Sequence, residues 1–274
     1  MNSIVRLEDR AVLRVAGADA RDFLQGMLTN DVAVLASDRP LFAGLLSPQG
    51  KALFDMFLFD SGDGAVLIDV DATRVEALAR RLTMYRMRKA VTIAPVPAAV
   101  IAGWNGGEAG HACDPRLGAL GGRWIEPATS VPPGADAYDA HRLGVGVPGS
   151  ADIGSDDLLW LETGADLLNG VSFTKGCYVG QENTARMHHR DKVRRRLVPV
   201  SLGTDPGDGA VFDAAITDGG GRSAGRLRSR RGMHGIAHLR LEASAAPLLL
   251  GDIPIAVARP PWLEPSLVAA VQSD

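Results

Sequence analysis

Cysteine is nearly absent from this chain of 274 residues, which has only Cys113 and Cys177. Two thiols so far apart make no CxxC pair and no disulfide framework. Nor can they supply the four ligands an iron–sulfur cluster usually takes, so any cluster handled here is held transiently or shared. Aromatic residues are only 5%. None interleave the basic stretches Arg186–Arg196 and Arg222–Arg231, so direct nucleic-acid readout by stacking has no support. Charge of one sign is also missing: the net is −3, with no global pull toward nucleic acid or an anionic membrane. No apolar run reaches about 18 residues, which excludes a membrane-spanning helix. The N-terminus lacks an apolar core behind a basic start, and its acids, Glu8 and Asp9, argue against a transit peptide. The expectation is a cytoplasmic protein.

Several enzyme signatures are absent as well. Neither G-x-S-x-G nor H-E-x-x-H occurs. Gly144 to Gly149 fits G-x-G-x-x-G by letter, but Pro148 suits a turn better than a helix opening. Gly44 to Lys51 has one residue too many for a P-loop, and Ala52 stands where a magnesium-binding hydroxyl belongs. His188 and His189 are adjacent and point in different directions, so they read as exposed polar residues rather than as a metal pair. No metal site is expected.

What remains is rich in apolar residues, 46% of the chain, enough for a large core. Residues 11–17 read as a strand. A helix follows behind Asp19, with Phe23, Leu24, Met27 and Leu28 on its core face. Leu41–Leu46 and Lys51–Phe59 flank the turn Ser47-Pro-Gln-Gly50 and predict a β-hairpin. Residues 65–70 predict a strand and Thr73–Lys89 a helix; short strands follow, and Ser155–Leu168 suggests a short helix or two. From Leu197 onward, short alternating strands between Gly- and Pro-rich turns predict a small barrel or sandwich. The fold class is α+β: two α+β subdomains with antiparallel sheets over residues 1–194, then a C-terminal β-barrel over 195–274.

Residues 171–186 carry the densest chemistry. Lys175 and a helix starting just beyond would favour a thiolate at Cys177. Gly176 and Gly180 permit close backbone approach. Tyr178 can stack. Gln181 and Glu182 can read a flat heterocycle, since a carboxylate accepts two parallel hydrogen bonds from an aminopyrimidine edge. Arg186, Arg190 and Arg194–Arg196 could meet a carboxylate tail.

Lys175-Gly-Cys-Tyr-Val-Gly-Gln-Glu182 resembles the K-G-C-[aromatic]-x-G-Q-E signature of the YgfZ family, a paralogue of the T protein of glycine cleavage. Phe23 to Val32, Leu46 to Lys51 followed by Asp55, Asp114-Pro-Arg116, Tyr138 to Pro148, and Ser223 through Arg240 resemble further family segments. The resemblance implies two α+β subdomains and a barrel around a folate-sized hole. It implies bound tetrahydrofolate, a transient iron–sulfur cluster, and support of iron–sulfur proteins such as cluster carriers and radical tRNA-modifying enzymes. Cys177 and Lys175 are then the expected catalytic residues. Asn30, Asp31, Asp55, Tyr178, Gly180, Gln181, Glu182, Arg186 and Arg190 are the expected folate contacts. Ahead of the signature, relatives carry Leu-Pro-x-Glu where this chain has Leu161-Glu-Thr-Gly-Ala-Asp166, leaving Glu162 as the nearest carboxylate. The alternative function is a folate-dependent aminomethyl transferase with Asp55 beside the folate amine.

Overall fold

The computed structural model describes residues 3–189, 193–207 and 213–271. The chain runs through β1 (Ser3–Arg6), β2 (Arg10–Ala16), α1 (Ala20–Met27), β3 (Leu41–Leu46), β4 (Ala52–Asp60), β5 (Val66–Asp71), α2 (Val75–Arg86), β6 (Thr92–Val96), β7 (Ala99–Trp104) and β8 (Gly122–Glu126). Then come α3 (Ala135–Val145), α4 (Ser150–Ile153) and α5 (Gln181–His189). The barrel strands are β9 (Arg195–Leu202), β10 (Ala215–Asp218), β11 (Ser223–Arg231), β12 (His234–Arg240), β13 (Leu248–Leu250) and β14 (Ile253–Val257), followed by α6 (Glu264–Val271).

Strands β3-β4-β5-β2-β6 form an antiparallel sheet, β1-β7-β8 a smaller one, and β10-β11-β12-β9-β14-β13 a closed barrel. β3 is buried at every position, which an apolar run without alternation signals for a strand covered on both faces. One cover is the helix layer: Phe23, Leu24 and Met27 of α1 and Leu78 and Leu82 of α2 share a core with Leu45, Met56 and Ile68. The other cover is a junction of the large sheet, two helices and the barrel. Phe42 and Phe57 from the large sheet, Leu143 and Ile153 from α3 and α4, and Leu197 and Ile236 from the barrel pack there around Trp160. A Cβ on Gly44 would lie 2.9 Å from the Trp160 ring, and the indole N–H donates to the Gly170 carbonyl at 3.0 Å. Where the resemblance implies a central hole, the Trp160 cluster fills part of the junction, and two pockets open elsewhere between the elements.

One expectation changes and one is met. Residues 155–168 form only a 3-10 turn at Trp160–Thr163. Their apolar side chains feed different clusters, and Gly164 leaves the helical region with φ 82°. In the barrel, the three-residue β13 pairs with both β10 and β14, which makes the C-terminal sheet a closed barrel and not a sandwich.

Candidate functional site

The signature segment is built onto the end of α1. The last carbonyls of a helix lack intrahelical donors, and here one side chain satisfies them. The Lys175 ammonium donates to the carbonyls of Gln25 (2.6 Å), Leu28 (2.6 Å) and Asn30 (2.9 Å). A cation at this end also complements the helix dipole. Burial lowers the lysine to about 8, with Asp31 opposing. All three N–H donors are used, so Lys175 points inward and has none left for Cys177. Its role is an anchor, a correction to the catalytic part expected of it. We expect Lys175→Met to lower stability by about 2–3 kcal/mol by urea unfolding, since charge-assisted bonds contribute about 1.5–3 kcal/mol each and this group is only half-buried. Unchanged stability would show that the anchor is idle.

Beyond it, the Tyr178 ring lies 5.1 Å from the ammonium, and burial raises its phenol. The Tyr178 backbone N–H donates to Gln181 Oε1 at 3.1 Å, closing the turn into α5. Gly180 has φ 84°, and a Cβ there would meet the Ser47 carbonyl at 2.4 Å. The β3–β4 turn thus presses against the start of α5, and Asn183 Nδ2 donates to the Gln49 carbonyl at 2.9 Å. On this clasped loop Cys177 is a free, exposed thiol. Glu182 and Arg186 are exposed as well; Arg186 donates to Asn183 Oδ1 at 3.0 Å. His188 and His189 are exposed, as expected, and His188 stacks on Phe173 with centroids 3.7 Å apart.

Thr29, Asn30 and Asp31 cradle this loop. Thr29 Oγ1 donates to the Gly170 carbonyl at 2.7 Å and accepts from Gly44 N–H at 2.8 Å. Asn30 Nδ2 donates to the carbonyls of Phe42 and Asn169, both at 2.8 Å, while its oxygen accepts from Asp31 N–H. Asp31 Oδ1 accepts from Ala33 N–H and from Gln25 Nε2. These side chains shape the backbone under the signature.

Asp55 lies elsewhere. It lines a pocket of about 120 Å³ with Arg10, Arg116, Arg123, Arg142, Tyr138 and Ser150. Its Oδ2 accepts from Ser150 Oγ at 2.7 Å, and Ser150 in turn accepts from Arg10 at 2.8 Å. The arginines are matched by buried carboxylates: Asp69 takes Arg10 at 2.6 Å and Arg123 at 2.7 Å, Asp114 takes Arg116 at 2.8 Å, and Asp152 takes Arg142 at 2.9 Å. The Arg116 and Arg123 guanidinium groups lie 4.7 and 4.1 Å from the Phe57 ring centroid.

A larger cleft of about 580 Å³ opens between β3, residues 113–118 and residues 169–171; Asn30, Asp38, Arg39, Phe42, Cys113 and Asn169 are among its lining. The side chains of Asp38 and Arg39 make no hydrogen bond or ion pair among the described residues.

The expected folate contacts are thus divided. Asn30 borders the large cleft and Asp55 the small pocket, while Asp31, Tyr178, Gly180, Gln181, Glu182 and Arg186 line neither. Arg190 lies outside the described residues. Glu162 accepts from Leu159 N–H at 3.1 Å and faces His238 of β12 at 3.8 Å, away from both spaces. Arg196, proposed for a carboxylate tail, is instead buried in a two-bond pair with Asp166 at 2.6 and 2.8 Å. Sequence reasoning passed over Trp160 and Asp69. Asp69 had a signal: in Val-Leu-Ile-Asp-Val-Asp71 it is an acid inside an apolar strand, which needs a buried cation.

Together these features define a protein of the aminomethyltransferase T architecture that presents an exposed cysteine on a braced loop. The crystal structure of glycine cleavage system aminomethyltransferase T from Bartonella henselae superposes with TM-score 0.75 over 96% of this chain and 86% of its own, at 16% identity, a likeness of fold. Residues 194–265 match the family model described as CAF17, C-terminal beta-barrel domain. The iron-sulfur cluster assembly factor IBA57, mitochondrial, of Mus musculus is 35% identical over 89% of this chain and 79% of its own length. The Homo sapiens protein of that name is 34% identical over 94% and 84%. This chain belongs to the IBA57 family of iron–sulfur cluster assembly factors. The expectation of a cytoplasmic protein is overturned by these relatives, which are mitochondrial by name.

Proposed function

We propose that the chain acts in iron–sulfur cluster assembly by offering the Cys177 thiolate to a cluster whose other ligands come from a partner protein. The exposure of Cys177 on a loop clamped by Lys175 and Gly180 carries this reading. Among the described residues no three His, Cys, Asp or Glu side chains gather as a metal site, so a partner has to complete the coordination. The partner class is a cluster carrier, and the clients include radical tRNA-modifying enzymes, as in the YgfZ-type relatives that the signature resembles. Mixing the chain with a purified carrier, ferric iron and sulfide should produce visible cluster absorption that Cys177→Ala removes and Cys113→Ala keeps. Equal absorption from the Cys177→Ala chain would end this proposal.

Tetrahydrofolate belongs to the same proposal, in the large cleft. Its volume lies within the range of about 300–1,000 Å³ usual for ligands of that size, and Arg39 at the rim, a cation without a partner among the described residues, is suited to the glutamate carboxylates. When bound, the folate supplies a one-carbon-accepting amine. Arg39→Ala should weaken tetrahydrofolate binding by about tenfold in a fluorescence titration, while Asp55→Asn leaves it unchanged; the reverse pattern would move the ligand to the small pocket. The transferase alternative is disfavoured because Asp55 is bonded to Ser150 in the smaller pocket, among arginines already paired with Asp69, Asp114 and Asp152.

A further inference from the structure

The end of α2 carries apolar surface where a helix normally carries solvated polar groups. Met84, Tyr85 and Met87 are 76%, 42% and 87% exposed. They are three of the seven large hydrophobic residues exposed among the described residues, and their crowding into one turn makes a patch rather than a scatter. Met87 ends the helix with φ 50° and ψ −116°, a conformation few side-chain-bearing residues adopt.

The stretch around it is strongly basic, with Arg80, Arg81, Arg86, Arg88 and Lys89. Arg81 lies 5.8 Å from the Tyr85 ring centroid, Arg86 donates to the Val91 carbonyl at 3.0 Å, and Lys89 pairs with Asp22. Arg80 and Arg88 are exposed and have no side-chain partner among the described residues. A basic rim around a Met–Tyr centre fits an acidic surface with an apolar middle.

α1 links this patch to the cysteine loop. Asp22 in its first turn holds Lys89, and Gln25 and Leu28 at its end hold Lys175. Six residues of helix span about 9 Å. α1, α2 and Val179 also share one core. α1 thus ties the patch to the segment that carries Cys177 across a rise that is short beside a standard interface of about 800 Å² on each partner.

We infer that Met84, Tyr85 and Met87, with Arg80 and Arg88, form the docking surface for the acidic protein partner that completes the ligand set at Cys177. This rests on the cluster reading above. Methionine adapts to an apolar surface, and tyrosine and arginine dominate binding energy at interfaces; phosphate-directed contacts alone would leave the methionines without a role.

The test uses the full chain and a purified cluster carrier with an acidic surface, with affinity measured by calorimetry. Two double variants, Arg80→Glu with Arg88→Glu and Met84→Ser with Met87→Ser, should each bind at least about tenfold more weakly. Their thermal midpoints should match that of the unaltered chain, since all four positions are exposed. Binding should also weaken with salt, because screening shortens to about 3 Å at 1 M. Cys177→Ala should bind the carrier as the unaltered chain does yet form no cluster. Double variants that bind the carrier normally would overturn the docking surface, as would variants that lose only binding to RNA or to phosphatidylserine vesicles. Normal cluster formation by Cys177→Ala at saturating carrier would instead overturn the cluster reading.

Discussion

Cells lacking this protein and supplied with the Cys177→Ala variant should show the same defect in cluster-dependent enzymes as cells supplied with nothing. The expected loss is near complete because an exposed thiol with no hydrogen-bond partner among the described residues contributes little to the fold. Surface substitutions of that kind change stability by about 0.5 kcal/mol or less. The variant therefore accumulates as a folded protein, and whatever it loses is sulfur chemistry. Cys177→Ser keeps the size and polarity but not the soft ligand an iron centre prefers, and should fail equally. Cys113 is also exposed, on the cleft side of the molecule, and Cys113→Ala should rescue fully. Recovery of enzyme activity by Cys177→Ala, with protein amounts matched by immunoblot, would remove the thiol from the mechanism.

The largest structural effect is expected at Trp160. Cutting it to alanine should lower stability by about 3–5 kcal/mol in urea unfolding, the range for a fully buried large aromatic. Trp160 is fully buried, lies 5.6 Å from Phe42 between ring centroids, and packs with residues of the large sheet, α3, α4 and the barrel. The loss should therefore also loosen the barrel from the rest, seen as an unfolding transition that broadens or splits. Gly44→Ala approaches the same contact from the other side: its Cβ would overlap the indole at 2.9 Å, and overpacking of this kind costs about 1–3 kcal/mol. A Trp160→Ala protein as stable and cooperative as the unaltered chain would mean that the junction does not bind the units together.

Much of the fold was legible in the chain itself because its signals are local. The turn at Ser47–Gly50 forms where the proline and glycine place it, with Gly50 at φ 81°. The expected helix over residues 73–89 appears as α2, shorter at both ends. Tyr85, one residue before its end, is exposed. The density of reactive groups in residues 175–182 marked the place where the free cysteine is presented.

Composition and spacing by themselves determined the α+β class, the two-thiol limit on cluster ligation, and the cysteine segment worth attention. Only the tertiary structure decided what Lys175 does, since the carbonyls it meets lie about 150 positions earlier in the chain. It likewise sent Asp55 and Asn30 to different cavities, filled part of the junction with Trp160, and closed the barrel through a three-residue strand. The reason is one of range. Turn and strand preferences act between neighbours, whereas the partner of a lone cation, acid or indole is set by which distant surfaces the packed elements bring together.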